Sequence, residues 1–288
     1  MMRKTRPLLS LAAATVIGLP LATGALAADP VPQNDLLNAT LWVTNSVEFR
    51  ANTLAMFQLA KIRLDEALAD KSWTAATEQT GAYQDLPPAV ILDADETAID
   101  NGAYESWLIK VGQDYSSKTW GPWVAAAEAR AVPGAVDFTK YADSKGVKVF
   151  YITNRTNDQE EATRKNMEAL GFAMGGNVDT FLMAKEKEDW SSKKGIRRAF
   201  VAKDYRVLLL LGDNYGDFSD DYGLPEADRM KSLEANIAHV GHDWIFIANP
   251  EYGSFESAPF LSDYKKSADE RRQLKINALP TWSGPPAQ

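Results

Sequence analysis

Short apolar runs recur through the chain at 89–92, 147–152, 180–183, 207–211 and 245–248. Each is short for a helix and lacks the alternation of a half-exposed strand, as expected of a strand covered on both faces. Helix-like segments separate the runs, which predicts an α/β fold: a three-layer parallel sheet with helices on both sides. The turn signal Asp85-Leu86-Pro87-Pro88 introduces the first run. Ahead of it, between 35 and 70, Leu36, Val43, Val47, Leu54, Phe57, Leu64 and Leu68 share one arc of a helical wheel, interrupted by Arg50 and Lys61. Leu41 and Leu59 lie on the other side, so the region 28–86 reads as a structural helical region of one long helix or two shorter ones. Between the first two runs lie about 50 residues, more than one crossover helix needs. Residues 101–132 therefore read as an inserted cap. Its Tyr104, Trp107, Tyr115, Trp120 and Trp123 suit the wall of a pocket as well as ordinary packing.

The N-terminus departs from this pattern. Arg3, Lys4 and Arg6 precede an apolar run over 8–21, followed by Ala25-Leu26-Ala27. That is the layout of an export signal cut after Ala27, so 1–27 is expected to be a signal peptide and 28–288 the mature domain. The run is short for a membrane-spanning helix and contains Gly18 and Pro20. The mature chain is thus expected in the periplasm or the medium, without a stable membrane anchor.

Composition narrows the chemistry. At 288 residues, 45% of them hydrophobic, the chain can bury one large core or two modest ones, which excludes a disordered or fibrous protein. A formal net charge of −8 is the wrong sign for a polymeric nucleic acid partner. The absence of cysteine excludes disulfides, thiolate nucleophiles, cysteine zinc sites and lipidation of an N-terminal cysteine. His239 and His242, three apart near the expected end of a helix, fit an interaction with its dipole better than a metal site, since no third ligand is spaced to join them.

Open parallel sheets bind ligands beyond the carboxyl ends of their strands. There the first run leads into Asp93-Ala94-Asp95-Glu96-Thr97, the second into Thr153-Asn154-Arg155 and the fourth into Gly212-Asp213-Asn214-Tyr215-Gly216-Asp217. One strand-end aspartate alone is usually a helix cap or turn residue. The conjunction brings carboxylates and small hydrogen-bonding groups to one edge. A calcium loop starting at Asp93 fails, because Ala98 stands where the sharp turn needs glycine and Tyr104 where a bidentate glutamate belongs. No glycine-rich dinucleotide fingerprint or P-loop follows any run.

Asp-x-Asp-x-Thr, a threonine after the next run, a downstream lysine and Gly-Asp-x-x-x-Asp resemble, in that order, the haloacid dehalogenase (HAD) superfamily of aspartate-nucleophile phosphatases. The stretches 91–101, 152–155, 212–218 and Asn249-Pro250-Glu251-Tyr252-Gly253, with the helical stretch 41–60, resemble the class C bacterial acid phosphatases, the lipoprotein e family. The resemblance implies a HAD-like Rossmannoid fold and a Mg2+-dependent acid phosphatase acting on 5′-nucleoside monophosphates, nicotinamide mononucleotide and aryl phosphates. By the family pattern, the side chains of Asp93 and Asp213 and the carbonyl of Asp95 bind Mg2+, with Asp217 a further ligand or a group orienting a bound water. Asp93 attacks phosphorus to form an aspartyl-phosphate, while Asp95 protonates the leaving alkoxide and later takes a proton from water. Activity falling towards alkaline pH is then expected.

Thr153 and Asn154 would hold the phosphoryl oxygens, and a lysine would neutralise the remaining charge. The family's Ser-x-Lys-x-x-Arg spacing fits Lys194, with Lys193 beside it separated only by helix phase. Trp120 and Tyr252 match the residues that stack on the substrate's ring. Many members of the family are lipoproteins, and without a cysteine that attachment does not carry over. Two alternatives use the same scaffold: a phosphotransferase working through the same intermediate, and an inactive storage or binding protein. Scaffolds that lose catalysis usually lose the first aspartate, whereas Asp93, Asp95, Thr153 and Asp213 are all present here.

Overall fold

Ser46 divides the N-terminal helical stretch in two. In the computed structural model, which describes residues 34–284, α1 (Leu37–Asn45) stops at this serine and α2 (Val47–Ala69) starts from it. Ser46 is extended, and its hydroxyl accepts the Phe49 N–H at 2.9 Å, the standard satisfaction of a free helix donor. The signal peptide expected over 1–27 lies outside the described residues.

The face that α2 buries differs from the arc of large aliphatics. Phe49, Thr53, Phe57, Ala60, Leu64 and Ala67 are buried, whereas Val47 is 73% exposed and Leu54 38%. Three small residues, Thr53, Ala60 and Ala67, complete this stripe. A wheel drawn through large aliphatics misses them. At the far end of α2, the Arg206 guanidinium donates to the carbonyls of Ala67 at 3.1 Å and Asp70 at 2.6 Å, satisfying acceptors the helix cannot.

The chain then enters β1 (Pro88–Leu92) and, after a turn, β2 (Ile99–Asp100). Two helices, α3 (Gly102–Val111) and α4 (Ser117–Ala126), follow before β3 (Arg130–Ala131) returns antiparallel to β2. The remainder alternates: α5 (Ala135–Ser144), β4 (Lys148–Thr156), α6 (Glu160–Leu170), β5 (Phe181–Ala184), α7 (Gly195–Ala202), β6 (Arg206–Gly212), α8 (Glu226–Ala235) and β7 (Trp244–Phe246). A short α9 (Ser254–Ser257) and α10 (Ala268–Ala278) complete it. Strands β5, β4, β1, β6 and β7 form, in that order, one parallel sheet. Each of the five apolar runs contributes one of these strands.

Both faces of the sheet are covered, as the continuous apolar runs require. Val90, Leu92, Val149 and Tyr151 join Phe57, Leu64 and Phe138 on one face. Ala89, Ile91, Phe150 and Ile152 join Val201, Phe218 and Trp244 on the other. On β6 the alternation slips, because Leu208 and Leu209 both belong to the first core while Val207 and Leu210 belong to the second. The β1 pairing jumps at this point, from Ala89–Val207 to Val90–Leu209, the mark of a bulge. The Leu208 carbonyl accepts the Trp73 indole N–H at 2.8 Å. Among the described residues no helix is long and apolar enough to cross a membrane.

Candidate active site

The Asp93 N–H donates to the Leu211 carbonyl at 2.9 Å, carrying the β1–β6 pairing one residue past the strand. The chain then reverses: the N–H groups of Ala98 and Ile99 both donate to the Ala94 carbonyl, and the Glu96 N–H to the Ile99 carbonyl. This turn puts Glu96 in the left-handed region at φ 57°, unusual for a residue other than glycine. Its buried carboxylate holds the turn, accepting the Asn101 N–H at 2.9 Å, the Asn101 amide at 3.1 Å and the Tyr252 hydroxyl. Tight reversal thus sets Asp93 and Asp95 at the edge where β4 and β6 also end.

Asp213 follows β6 directly, and Asp217 lies in the 3-10 turn Tyr215–Asp217. Asp217 folds back until a Cβ on Gly212 would stand 2.3 Å from its Cβ, so this approach requires glycine. Asp93, Asp213 and Asp217 each offer a carboxylate oxygen within 4.8 Å of the others. The buried Lys194 ammonium donates to both Asp93 and Asp217, to the latter at 2.7 Å. Lys193 is exposed. Of the two adjacent lysines, the start of α7 therefore carries Lys194 into the cluster.

One ammonium cannot balance three carboxylates held out of water. Burial pushes the Asp93 carboxyl up to about 7, against the pull of Lys194, with Asp217 and Asp95 adding to the rise. Asp213 is driven well above the usual carboxylate range by burial and by Asp217 and Asp93. Burial disfavours the Lys194 charge, but Asp217 and Asp93 more than offset it and hold the amine above its ordinary value. A cage of hard oxygen donors with surplus negative charge fits a divalent metal ion. Asp213 is oriented by Asn249, whose amide donates at 2.9 Å, and by the Thr97 hydroxyl at 3.3 Å. Both Asp217 oxygens are engaged, one by Lys194 and the other by the Asn214 N–H at 2.9 Å.

Asp95 is set differently. Its Oδ1 accepts the Asn101 amide at 2.8 Å and Arg155 Nη2 at 2.8 Å and Nε at 3.0 Å. Thr153 is fully buried; its hydroxyl accepts the Arg155 N–H at 3.0 Å and its carbonyl accepts from Arg197. Asn154 is exposed, with its side-chain oxygen accepting Arg197 Nη2 at 2.7 Å, which leaves its amide group free to donate.

The aromatic residues of 101–132 form a cluster around the buried Tyr104, whose ring lies 5.3 Å from Trp120 and 6.2 Å from both Trp107 and Trp123. Trp120 also stacks on the Arg155 guanidinium at 5.3 Å. Tyr252 is half-buried and tied through its hydroxyl to Glu96. Trp120 and Tyr252 thus reach the Asp95 neighbourhood from different elements, one through Arg155 and the other through Glu96 and Asn101. His239 and His242 belong elsewhere: His239 bonds Asp243 at 2.8 Å and stacks on Trp244, and His242 stacks on Trp73. His239 also closes the 3-10 turn Ile237–His239, at the helix end expected for it.

Sequence reasoning did not assign roles to Arg155, Asn101, Glu96, Arg197, Thr97 and Asn249. All lie inside the motifs or beside them, yet their bonds depend on which loops meet across the sheet edge. Arg197 closes the Ser-x-Lys-x-x-Arg spacing and Asn249 opens Asn-Pro-Glu-Tyr-Gly, and the arginine that ends Thr-Asn-Arg carried a further signal, since arginine at a strand end beside a carboxylate motif needs a partner.

Residues 28–255 match the family described as HAD superfamily, subfamily IIIB (acid phosphatase). The structure is similar to the class C acid phosphatase from Bacillus anthracis, 32% identical, with a TM-score of 0.76 over 86% of this chain and 97% of that one. The same enzyme with tungstate bound matches at a TM-score of 0.75, with the same identity and coverage. A stem 28 kDa glycoprotein of Glycine max is 22% identical over 133 residues, 44% of this chain and 51% of its own. A stem 31 kDa glycoprotein of the same plant is 22% identical over 44% of each chain, so the match spans about half the length of these curated relatives. With the family match covering most of the chain and the structural match nearly all of the bacterial relative, the chain belongs to subfamily IIIB of the HAD superfamily, the acid phosphatases.

Proposed function

We propose that the protein is an exported, Mg2+-dependent acid phosphatase that hydrolyses 5′-nucleoside monophosphates and other small phosphomonoesters through an aspartyl-phosphate. The observation that carries this reading is the Asp93 carboxylate held against the Lys194 ammonium with Asp213 and Asp217 in reach. Asp93 and Asp213, with the Asp95 carbonyl, would hold the cation, with Asp217 a further ligand or a group orienting one of its waters. When bound, the cation offsets the repulsion between a carboxylate nucleophile and a phosphate dianion. Lys194, Thr153 and the free amide of Asn154 take the phosphoryl oxygens as Asp93 forms its bond to phosphorus. Asp95 gives a proton to the departing alkoxide, then accepts one from the water that cleaves the aspartyl-phosphate. Tungstate is a tetrahedral oxyanion of phosphate-like shape, and its presence in the Bacillus anthracis enzyme supports a phosphoryl site.

Trp120 and Tyr252 supply aromatic surface for a nucleobase, nicotinamide or aryl ring, an interaction worth roughly 1–3 kcal/mol per ring and tolerant of ring type. Export rests on the basic, apolar and small-residue succession of 1–27. The test is phosphate release at mildly acid pH from nucleoside monophosphates, nicotinamide mononucleotide and an aryl phosphate, with Mg2+ and then with excess chelator. Chelator-sensitive release is expected from all three classes. No release from any of them overturns the reading.

A further inference from the structure

Arg155 is nine-tenths or more buried and spends its whole guanidinium on the Asp95 neighbourhood. Nη2 and Nε hold Asp95 Oδ1 at 2.8 and 3.0 Å, and Nε also approaches Oδ2 at 3.2 Å. Nη2 reaches the Asn101 side-chain oxygen at 3.3 Å, Nη1 donates to the Thr163 hydroxyl at 3.1 Å, and the guanidinium plane lies 5.3 Å from the Trp120 ring. Asn101 is itself fully buried. Its amide donates to Asp95 Oδ1 at 2.8 Å, and its oxygen also accepts the Trp123 indole N–H at 2.8 Å. One carboxylate oxygen therefore has three short donors and the other a single longer one.

From this asymmetry we infer that Arg155, with Asn101, is a positioning residue that pins Asp95 by Oδ1 and presents Oδ2 as the oxygen that carries and delivers the proton. The inference rests on the proposed phosphatase reading and deepens it. As the Asp93 oxygen bonds to phosphorus, the bond from phosphorus to the ester oxygen breaks. The proton on Asp95 Oδ2 passes to that oxygen, so the alcohol leaves neutral and Asp95 is left as a carboxylate in the arginine fork. A fork of this kind has the planar, two-pronged fit that lysine lacks. Because the guanidinium also packs on Trp120, the ring-binding wall and the acid share one anchor.

The inference separates from a purely structural role by leaving-group chemistry. A 4-nitrophenolate departs without a proton, whereas phenolate benefits from one and the alkoxide of benzyl phosphate requires it. These three esters place similar aromatic rings in the site, so differences in stacking largely cancel. We would measure kcat/KM for all three with wild type, Arg155→Met and Arg155→Lys at saturating Mg2+. Arg155→Met is expected to lose about 10²–10⁴-fold on benzyl phosphate, the usual worth of general acid catalysis, and less than about tenfold on 4-nitrophenyl phosphate. Arg155→Lys keeps the charge without the fork and should show the same ordering with smaller losses. Ratios between substrates do not depend on how much of a preparation is folded, and the lysine variant serves if the methionine variant yields no folded protein. Equal losses on all three esters in the folded variant would overturn the inference. If wild type hydrolyses none of them, the phosphatase reading itself fails, a separate result.

Discussion

Lys194 and Asp217 are joined by a 2.7 Å hydrogen bond between side chains that are each only 6% exposed. The same ammonium reaches Asp93, so the one cation of the cluster serves two carboxylates at once. Removing one partner of a buried ion pair leaves the other charge uncompensated, at a cost of about 3–5 kcal/mol. Lys194→Met should therefore lower the melting temperature clearly in chelator, and Mg2+ should restore part of the loss because a divalent cation offsets the same carboxylates. Phosphate release should stay at least about a hundredfold down even with Mg2+, since the proposed donor to the developing charge is gone. Melting curves with and without Mg2+ alongside turnover check this; full activity would remove Lys194 from the site.

Asp93→Asn keeps the shape of the side chain and its backbone bond to Leu211. It takes away the proposed nucleophile and one of the mutually repelling carboxylates. The variant should fold as well as wild type in chelator, with turnover abolished and no phosphate left on acid-quenched protein. Appreciable residual turnover would end the nucleophile assignment.

The five-stranded sheet and the edge that carries the motifs are legible in the chain because buried parallel strands announce themselves as uninterrupted apolar runs. The stripe on α2 was harder to read. Its buried positions include Thr53, Ala60 and Ala67, residues that hydrophobic patterning gives little weight, while the conspicuous Val47 and Leu54 are exposed. Within the site, spacing pointed to Lys194 over Lys193, and the three-dimensional start of α7 buries only Lys194. Arg155 and Asn101 acquire their roles from a meeting of the β4 end with the turn after β1. Residues 60 and 6 positions away from Asp95 converge there, a relation no local pattern encodes.

Gly212→Ala tests how tightly the last turn is built. A methyl group there would stand 2.3 Å from the Asp217 Cβ, and Asp217 cannot retreat without giving up its bonds to Lys194 and the Asn214 N–H. Overpacking at well-packed positions costs about 1–3 kcal/mol. The alanine variant is expected to lose stability in that range, to need more Mg2+ for half-maximal activity and to lose turnover. A variant with wild-type Mg2+ dependence would show that Asp217 can move without consequence.

Glu105, on α3, is 4% exposed and lies where burial, then Glu251 and Glu256, push its carboxyl up to about 8. Glu251 is pushed to about 7, chiefly by burial, and neither of its oxygens has a hydrogen-bond partner among the described residues. In the unfolded chain both would titrate near 4.5. Between that value and the raised ones the folded state binds more protons than the unfolded state, so stability falls as pH rises. The contribution is complete below the unfolded value and gone once pH passes the folded ones. At saturating Mg2+, which on the proposed reading keeps the Asp93, Asp213 and Asp217 carboxylates ionised, the melting temperature should therefore decline from about pH 5 to about pH 8. Glu105→Gln stays neutral throughout and should flatten that decline by on the order of 1–3 kcal/mol, or several degrees in a domain of this size. The measurement is a series of melts across this range for wild type and variant. A wild-type melting temperature that rises with pH, or a slope the glutamine leaves untouched, would mean that the Glu105 carboxyl is not held neutral in the fold.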